Sequence, residues 1–307
     1  MDYQEFLNEV CVRIQGEFEK AEVSCLTVSK VNTDKKGIVV KNTGRKLAPI
    51  VYFDDIYQDY RKSMDMDSCM EKAVKRIKAY LALPALDDTL CGDLLVWEKI
   101  SKYLYPFLVS TDRNHQLLQM MKHRSFLDLS VCYMLKLPIN KGEDCSGILR
   151  VTSDMAAVWG CTEEELYKKA MENVMSEGYS VKKLEDVLRH MLKEEYGDKI
   201  PEGLNLLENS PANPKVSVLS NSESRYGAAG ILDRKLLDRF ADECGSDFYI
   251  LPSSIHEVLL LPYDGSTELE ELNRMVQQVN EEELDEEEIL SDHAYYYSRE
   301  KKRIFCC

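Results

Sequence analysis

Phe248-Tyr249-Ile250-Leu251-Pro252-Ser253-Ser254-Ile255-His256-Glu257-Val258-Leu259-Leu260-Leu261 is two apolar runs separated by a polar hinge. Proline presets the φ that a turn requires, and serine side chains bond back to turn backbone, so residues 248–251 and 255–261 read as a tight strand pair around Pro252-Ser253. Strands joined this closely are antiparallel, because a parallel pair needs a crossover of about a dozen residues or more. Outward from the hinge, Leu236, Leu237 and Phe240 mark a helix that stops at Gly245, and residues 216–219 and 228–232 read as strands bracketing a polar turn. On the other side Thr267-x-x-Glu270 reads as a capping box for a helix carrying Leu269, Leu272, Met275, Val276 and Val279. Beyond an acidic run, Tyr295-Tyr296-Tyr297 alternate faces as in a half-buried edge strand.

The rest of the chain repeats this mixture. Phe6, Leu7, Val10, Ile14 and Phe18 predict a helix over 2–20, and strands at 23–31 and 38–42 flank Asp34-Lys35-Lys36-Gly37 as a hairpin turn. A short strand is expected at 49–53, then a helix opened by Ser68-x-x-Glu71 and ended at Pro84. Helices are expected at 93–102 and 115–122, and strands at 103–109, where Pro106 suits an edge or a bulge, at 125–137 and, after a polar turn at 140–144, at 147–151. Thr162-x-x-Glu165 caps a helix stopped by Gly178, and Ser180 opens the next, with Leu184, Val187, Leu188, Met191 and Leu192 in one stripe. Residues 197–214 hold three prolines and form the longest expected loop. The pattern predicts an α+β fold, a mixed and largely antiparallel sheet with packed helices, in two lobes: an N-terminal α/β lobe over 1–138 and a C-terminal α+β lobe over 139–307.

Composition narrows the function classes. With 44% hydrophobic residues in 307 the chain can bury a substantial core, and no stretch approaches the ~20 apolar residues a membrane span needs. Fifty-four acidic against 39 basic residues give a formal net charge of -15, which repels nucleic-acid backbones, so direct nucleic-acid binding is not expected. The chain begins Met-Asp-Tyr-Gln-Glu without a signal-peptide pattern, so a soluble, cytoplasmic protein is expected, with its ten cysteines reduced and Cys11, Cys69, Cys132 and Cys161 as small core residues. There is no Cys-x-x-Cys pair and no histidine at zinc-ligand spacing from a cysteine, so neither metal nor cofactor is expected.

Several groups of residues carry a resemblance: Leu127-Asp128-Leu129, Trp159-Gly160 ahead of Glu165-Leu166, Ala170 and Asn173, and Gly227-Ala228-Ala229. They continue through the segment from Pro252 to Val258, Val276 with Val279-Asn280, and Leu290-Ser291-Asp292 running into the three tyrosines. In this order they resemble an uncharacterised bacterial family, domain of unknown function 5688, over roughly residues 1–300. The resemblance implies a bacterial cytoplasmic protein. It implies no activity, cofactor or catalytic residue.

The candidate site is therefore read from residues alone: Ser253, Ser254, His256 and Glu257 at the mouth of an apolar strand. His256-Glu257 does not continue into a His-Glu-x-x-His zinc motif, since residue 260 is leucine. On a strand Ser254 and His256 share a face and Glu257 points away, which suggests a hydrolase with Ser253 or Ser254 as nucleophile, His256 as base and Glu257 or Asp292 as orienter. The Cα separation of about 7 Å is long for that contact, and the serines equally suit turn chemistry. His293 beside Asp292 reads as a surface histidine. The residues leave open whether the chain is an enzyme. They favour a non-enzymatic, accessory role through an unidentified protein partner, with two alternatives: the hydrolase, and an acidic mimic of nucleic acid built on the run 281–288.

Overall fold

The computed structural model describes residues 1–41, 50–82, 92–138, 146–197 and 216–306. The expected loop at 197–214 and turn at 140–144, and the stop at Pro84, fall almost wholly outside them. The fold is α+β with antiparallel sheets, and it divides into two compact units, Met1–Leu95 and Val96–Cys307. The division read at 138/139 falls between two strands that pair with each other, Leu137 opposite Gly147.

In the first unit α1 (Tyr3–Glu17) starts at a capping box, Asp2 with Glu5, and buries Phe6, Leu7, Val10 and Ile14 at helical spacing. These side chains pack with Ile38, Val40 and Val51 from a three-stranded sheet, β1 (Glu22–Ser29), β2 (Asp34–Lys41) and β3 (Ile50–Tyr52). The hairpin turn lies four residues earlier than its composition suggests. Lys30 N donates to Thr33 O at 2.8 Å, and Asn32 takes φ 60°, a left-handed conformation that asparagine tolerates. Gly37 is a strand residue instead, where a Cβ would meet Ile50 Cγ2 at 2.7 Å. The helix α2 (Phe53–Ser63), unanticipated from sequence, buries Phe53, Ile56 and Tyr60. The following α3 (Met66–Ala82) begins ahead of Ser68, with Asp65 accepting from the backbone of Asp67 at 3.1 Å. Cys69 is buried as expected, whereas Cys11 is only partly buried at the edge of the core, its sulfur beside that of Cys25 in β1.

The second unit carries two sheets. A short α4 (Trp97–Ile100) leads to β4 (Leu104–Ser110), α5 (His115–Met120), β5 (Arg124–Phe126), β6 (Leu129–Pro138) and β7 (Ser146–Arg150). Central β6 pairs with β4 on one side and with β5 and β7 on the other, so Pro106 does sit in an edge strand. The single strand expected over 125–137 is a hairpin, bent at Leu127 with φ 58°. After α6 (Ser153–Trp159), capped by Thr152 and also unanticipated, α7 (Glu163–Glu177) has the expected Thr162/Glu165 box and Gly178 stop. Ser180 opens not a helix but β8 (Ser180–Lys183), and α8 (Leu184–Tyr196) follows it.

The six-stranded sheet runs β13-β12-β10-β11-β9-β8, with β9 (Ser217–Ser220), β10 (Phe248–Pro252), β11 (Val258–Pro262), β12 (Tyr295–Ser298) and β13 (Arg303–Cys306). The strand expected at 228–232 is a 3-10 helix, Gly227–Leu232, buried throughout. The tyrosine strand is interior rather than an edge, because β13 covers it. On one face α9 (Arg234–Cys244) sets Phe240 edge-on to Phe248, which stacks on Tyr297 at 4.7 Å. On the other, α10 (Leu269–Glu282) packs Leu272 against Tyr249 and Ala294. Its N-cap is Glu268, with no side-chain bond, so the box expected at Thr267 is not formed.

A carboxylate ties the two sheets together. Asp128, in the β5–β6 turn, accepts from Tyr295 OH at 2.7 Å and from Ser291 Oγ at 3.0 Å. Tyr295 is fully buried, so removing its acceptor leaves Ser291 alone to meet the hydroxyl. We expect Asp128→Ala to destabilise the protein by roughly 2–4 kcal/mol and Tyr295→Phe by about 1 kcal/mol, read as shifts in urea midpoint at constant slope. Equal losses in the two variants would rule out this reading.

Candidate functional site

Pairing of β10 with β11 ends at Pro252 opposite Val258, which leaves residues 253–257 as a loop. Ser254 and His256 are thus not strand residues, and the shared face expected of them does not apply. The loop closes on itself: Ser254 N donates to Glu257 O at 3.1 Å, and Ser254 Oγ accepts from His256 N at 3.0 Å. Such serine-to-backbone bonds are turn chemistry. Ser254 is buried, while Ser253 hydrogen-bonds to the Glu257 carboxylate. Burial pushes the Glu257 carboxyl above its usual range, and the Ser253 bond opposes that rise.

Neighbouring segments complete the loop. Ile255 N donates to Glu288 O at 2.8 Å, Ala228 N to Ile255 O at 3.4 Å and Ser220 Oγ to His256 O at 2.9 Å. The imidazole itself receives Tyr226 N–H on Nδ1 at 3.0 Å, which fixes the proton of the neutral ring on Nε2. Nε2 faces Glu288 Oε1 at 3.6 Å. Burial holds the His256 pKa below its ordinary value, Glu288 works against this, and the Arg225 cation reinforces it. A ring in this state has its acceptor nitrogen occupied and its other nitrogen protonated. It is arranged to hold a loop.

Tyr226 is held in an unusual conformation, φ 56°, with its ring edge-on to both His256 and Phe107 of β4 at 5.5 Å. Its segment is closed internally by Asn221, whose Nδ2 donates to Arg225 O at 2.8 Å while its Oδ1 accepts from Arg225 N at 3.2 Å. A second tether is Lys136 of β6, paired with Glu223 at 3.2 Å. Sequence reading missed Tyr226 and Ser220, and treated Glu288 as one charge in a solvated run. The signal available was Gly227, where a Cβ would lie 2.5 Å from His256 O and 2.8 Å from Asn221 N, and closer still to Ser220.

Asp292 and His293 belong to a different cluster. Asp292 accepts from Arg113 at 2.8 Å and from Asn280 at 2.8 Å; burial raises its pKa, but these two bonds more than offset the rise and hold it below the usual carboxylate range. His293 is exposed, as expected, and its backbone N donates to Ser291 Oγ at 3.1 Å. Asn280 also donates to Ser291 O, and Asn173 to Ser101 O and Leu104 O. These bonds give Asn173, Asn280 and Ser291 structural roles. The acidic run finishes α10 and enters a 3-10 turn, Glu286–Glu288, that delivers Glu288 to the imidazole.

Because the His256 and Asn221 backbone, as well as the Ser220 hydroxyl, fills the space at Gly227, Gly227→Ala is expected to destabilise the protein by about 1–3 kcal/mol and to weaken protection of the Tyr226 amide in hydrogen exchange. Wild-type protection in that variant would show that the segment does not depend on the close approach.

No curated protein and no solved structure matches this chain. A family profile does, over residues 3–299, and with the residues it spans the chain belongs to the Family of unknown function (DUF5688).

Proposed function

We propose that this protein works through contact with another protein rather than by catalysis, and that the outward face of α10 is the contact surface. The observation that carries this reading is the exposure of Met275 (54%) and Val279 (43%), one turn apart on one helix. Exposed Glu271, Gln278 and Glu282 flank them, the first turn adds Glu270, and Arg274 is the single cation of the helix, so the border is acidic in balance. An apolar ridge within an acidic border complements a basic amphipathic segment, since burial of the ridge supplies affinity and the border selects charge and speeds encounter. The hydroxyls and the imidazole of the 253–257 loop support the same reading, because their hydrogen bonds serve the loop. No helix among the described residues is long and apolar enough to cross a membrane.

A photo-crosslinking residue placed at Gln278 should give a discrete adduct in the native host, absent when the same residue replaces Lys235 of α9. The adduct should disappear on combining Met275→Glu with Val279→Glu. Adducts that survive the double change, or none at all, would remove α10 as the surface. The catalytic alternative has a separate readout: a fluorophosphonate probe should leave Ser253 and Ser254 unlabelled in folded protein, and labelling of either would overturn the non-enzymatic reading.

A further inference from the structure

We propose that His256 is a proton-operated latch: its neutral ring holds the 221–226 segment against β4, and protonation releases it. The acceptor for Tyr226 N–H is Nδ1, at 3.0 Å. Charging the ring puts a proton on that nitrogen, so two N–H groups then face each other and the bond is lost. The gain and the loss lie on opposite sides of the ring. Glu288, from the 3-10 turn, attracts the imidazolium at Nε2 across 3.6 Å, while the backbone of the 221–226 segment is repelled at Nδ1.

The charged groups set around the ring decide the direction. Arg225, on the latched segment, opposes the new charge, and Glu288 favours it. Glu257, on the histidine's own loop, bonds Ser253. Glu223 reaches away to Lys136 and keeps the far side of the segment tethered. Release therefore acts at the Tyr226 end: the backbone there sits at φ 56°, costly for a tyrosine, and the ring contact with buried Phe107 depends on keeping it. Asn221 closes the segment on itself, so it moves as a unit rather than unravelling. Burial disfavours the charged ring, so the folded pKa lies below the ordinary ~6.5. The latch is then closed above that value and loosens as pH falls from it toward the folded pKa, by at most about tenfold in the opening constant per pH unit for one coupled proton.

The test is hydrogen exchange of the Tyr226 amide, expressed as a protection factor between pH 8 and 5, beside a ring-nitrogen NMR titration of His256 in the whole protein. The neutral ring should carry its proton on Nε2, and Tyr226 protection should fall with falling pH as His256 titrates. His256→Gln keeps an acceptor that cannot be charged, so its Tyr226 protection should not change with pH. Protection that stays constant through the wild-type titration overturns the latch, as does an equal pH dependence in His256→Gln or a neutral ring protonated on Nδ1. Since the first and last readouts use the unaltered chain, a misfolded variant does not rescue the idea.

Discussion

The fold around the candidate site depends on one constraint: five residues between β10 and β11 must cross the top of a buried sheet without leaving backbone polar groups unpaired. A two-residue turn would satisfy itself. A five-residue loop cannot, and its groups are met from three other segments, by Ser220 Oγ, by the Glu288 carbonyl and by the Ala228 amide. Each partner fixes a piece of chain that has little regular structure of its own. The 3-10 helix after Tyr226, the turn after α10 and the end of β9 are placed by what this loop requires.

This explains why reactive residue types gather there without forming an obvious reaction centre. Serine, histidine and glutamate are the side chains that complete irregular backbone, since each offers an acceptor or donor at short reach. Ser254 accepts a backbone amide two residues on, and His256 accepts one thirty residues away. The Asp128 cluster follows the same logic, one carboxylate taking two hydroxyls, Ser291 ahead of β12 and Tyr295 at its start. In both places a polar group is buried where strands leave their ladders, and buried polar groups persist when they are paired.

Legibility in the sequence followed the range of the interaction. The Thr162/Glu165 box and Gly178 stop are local chemistry, and the helix they frame is where the residues place it. The antiparallel β10–β11 pair was legible because both strands are apolar and their connection is short. Residues 228–232 failed for a physical reason: a five-residue apolar run with two alanines is equally consistent with any fully buried backbone, and burial against His256 O and Tyr179 selected a tight helix over a strand. Ser68-x-x-Glu71 and Thr267-x-x-Glu270 have the spacing of a box, yet helices begin at Met66 and at Leu269, because the buried stripe sets where a helix starts and the cap adds only about 1 kcal/mol. Tyr296 looked like part of an edge strand since nothing near it announces β13.

For the candidate site the decisive partners lay beyond local reach. His256 was legible as a residue of interest, but its role is set by the backbone of Tyr226 and by Glu288, 30 and 32 positions away, the one a contact that residue type does not announce and the other one of a run of glutamates. Tyr226 adopts a backbone conformation that sequence assigns to glycine or asparagine, and it does so next to Gly227, whose missing Cβ admits the loop backbone. Those two facts belong together. Moving the glycine's freedom by one residue would relieve the tyrosine but crowd the loop, so the strain at Tyr226 is retained because close approach at Gly227 is needed more. A conformation held that way is stable only while its neighbours hold it, and the neighbour that holds Tyr226 most directly is a side chain able to change its charge.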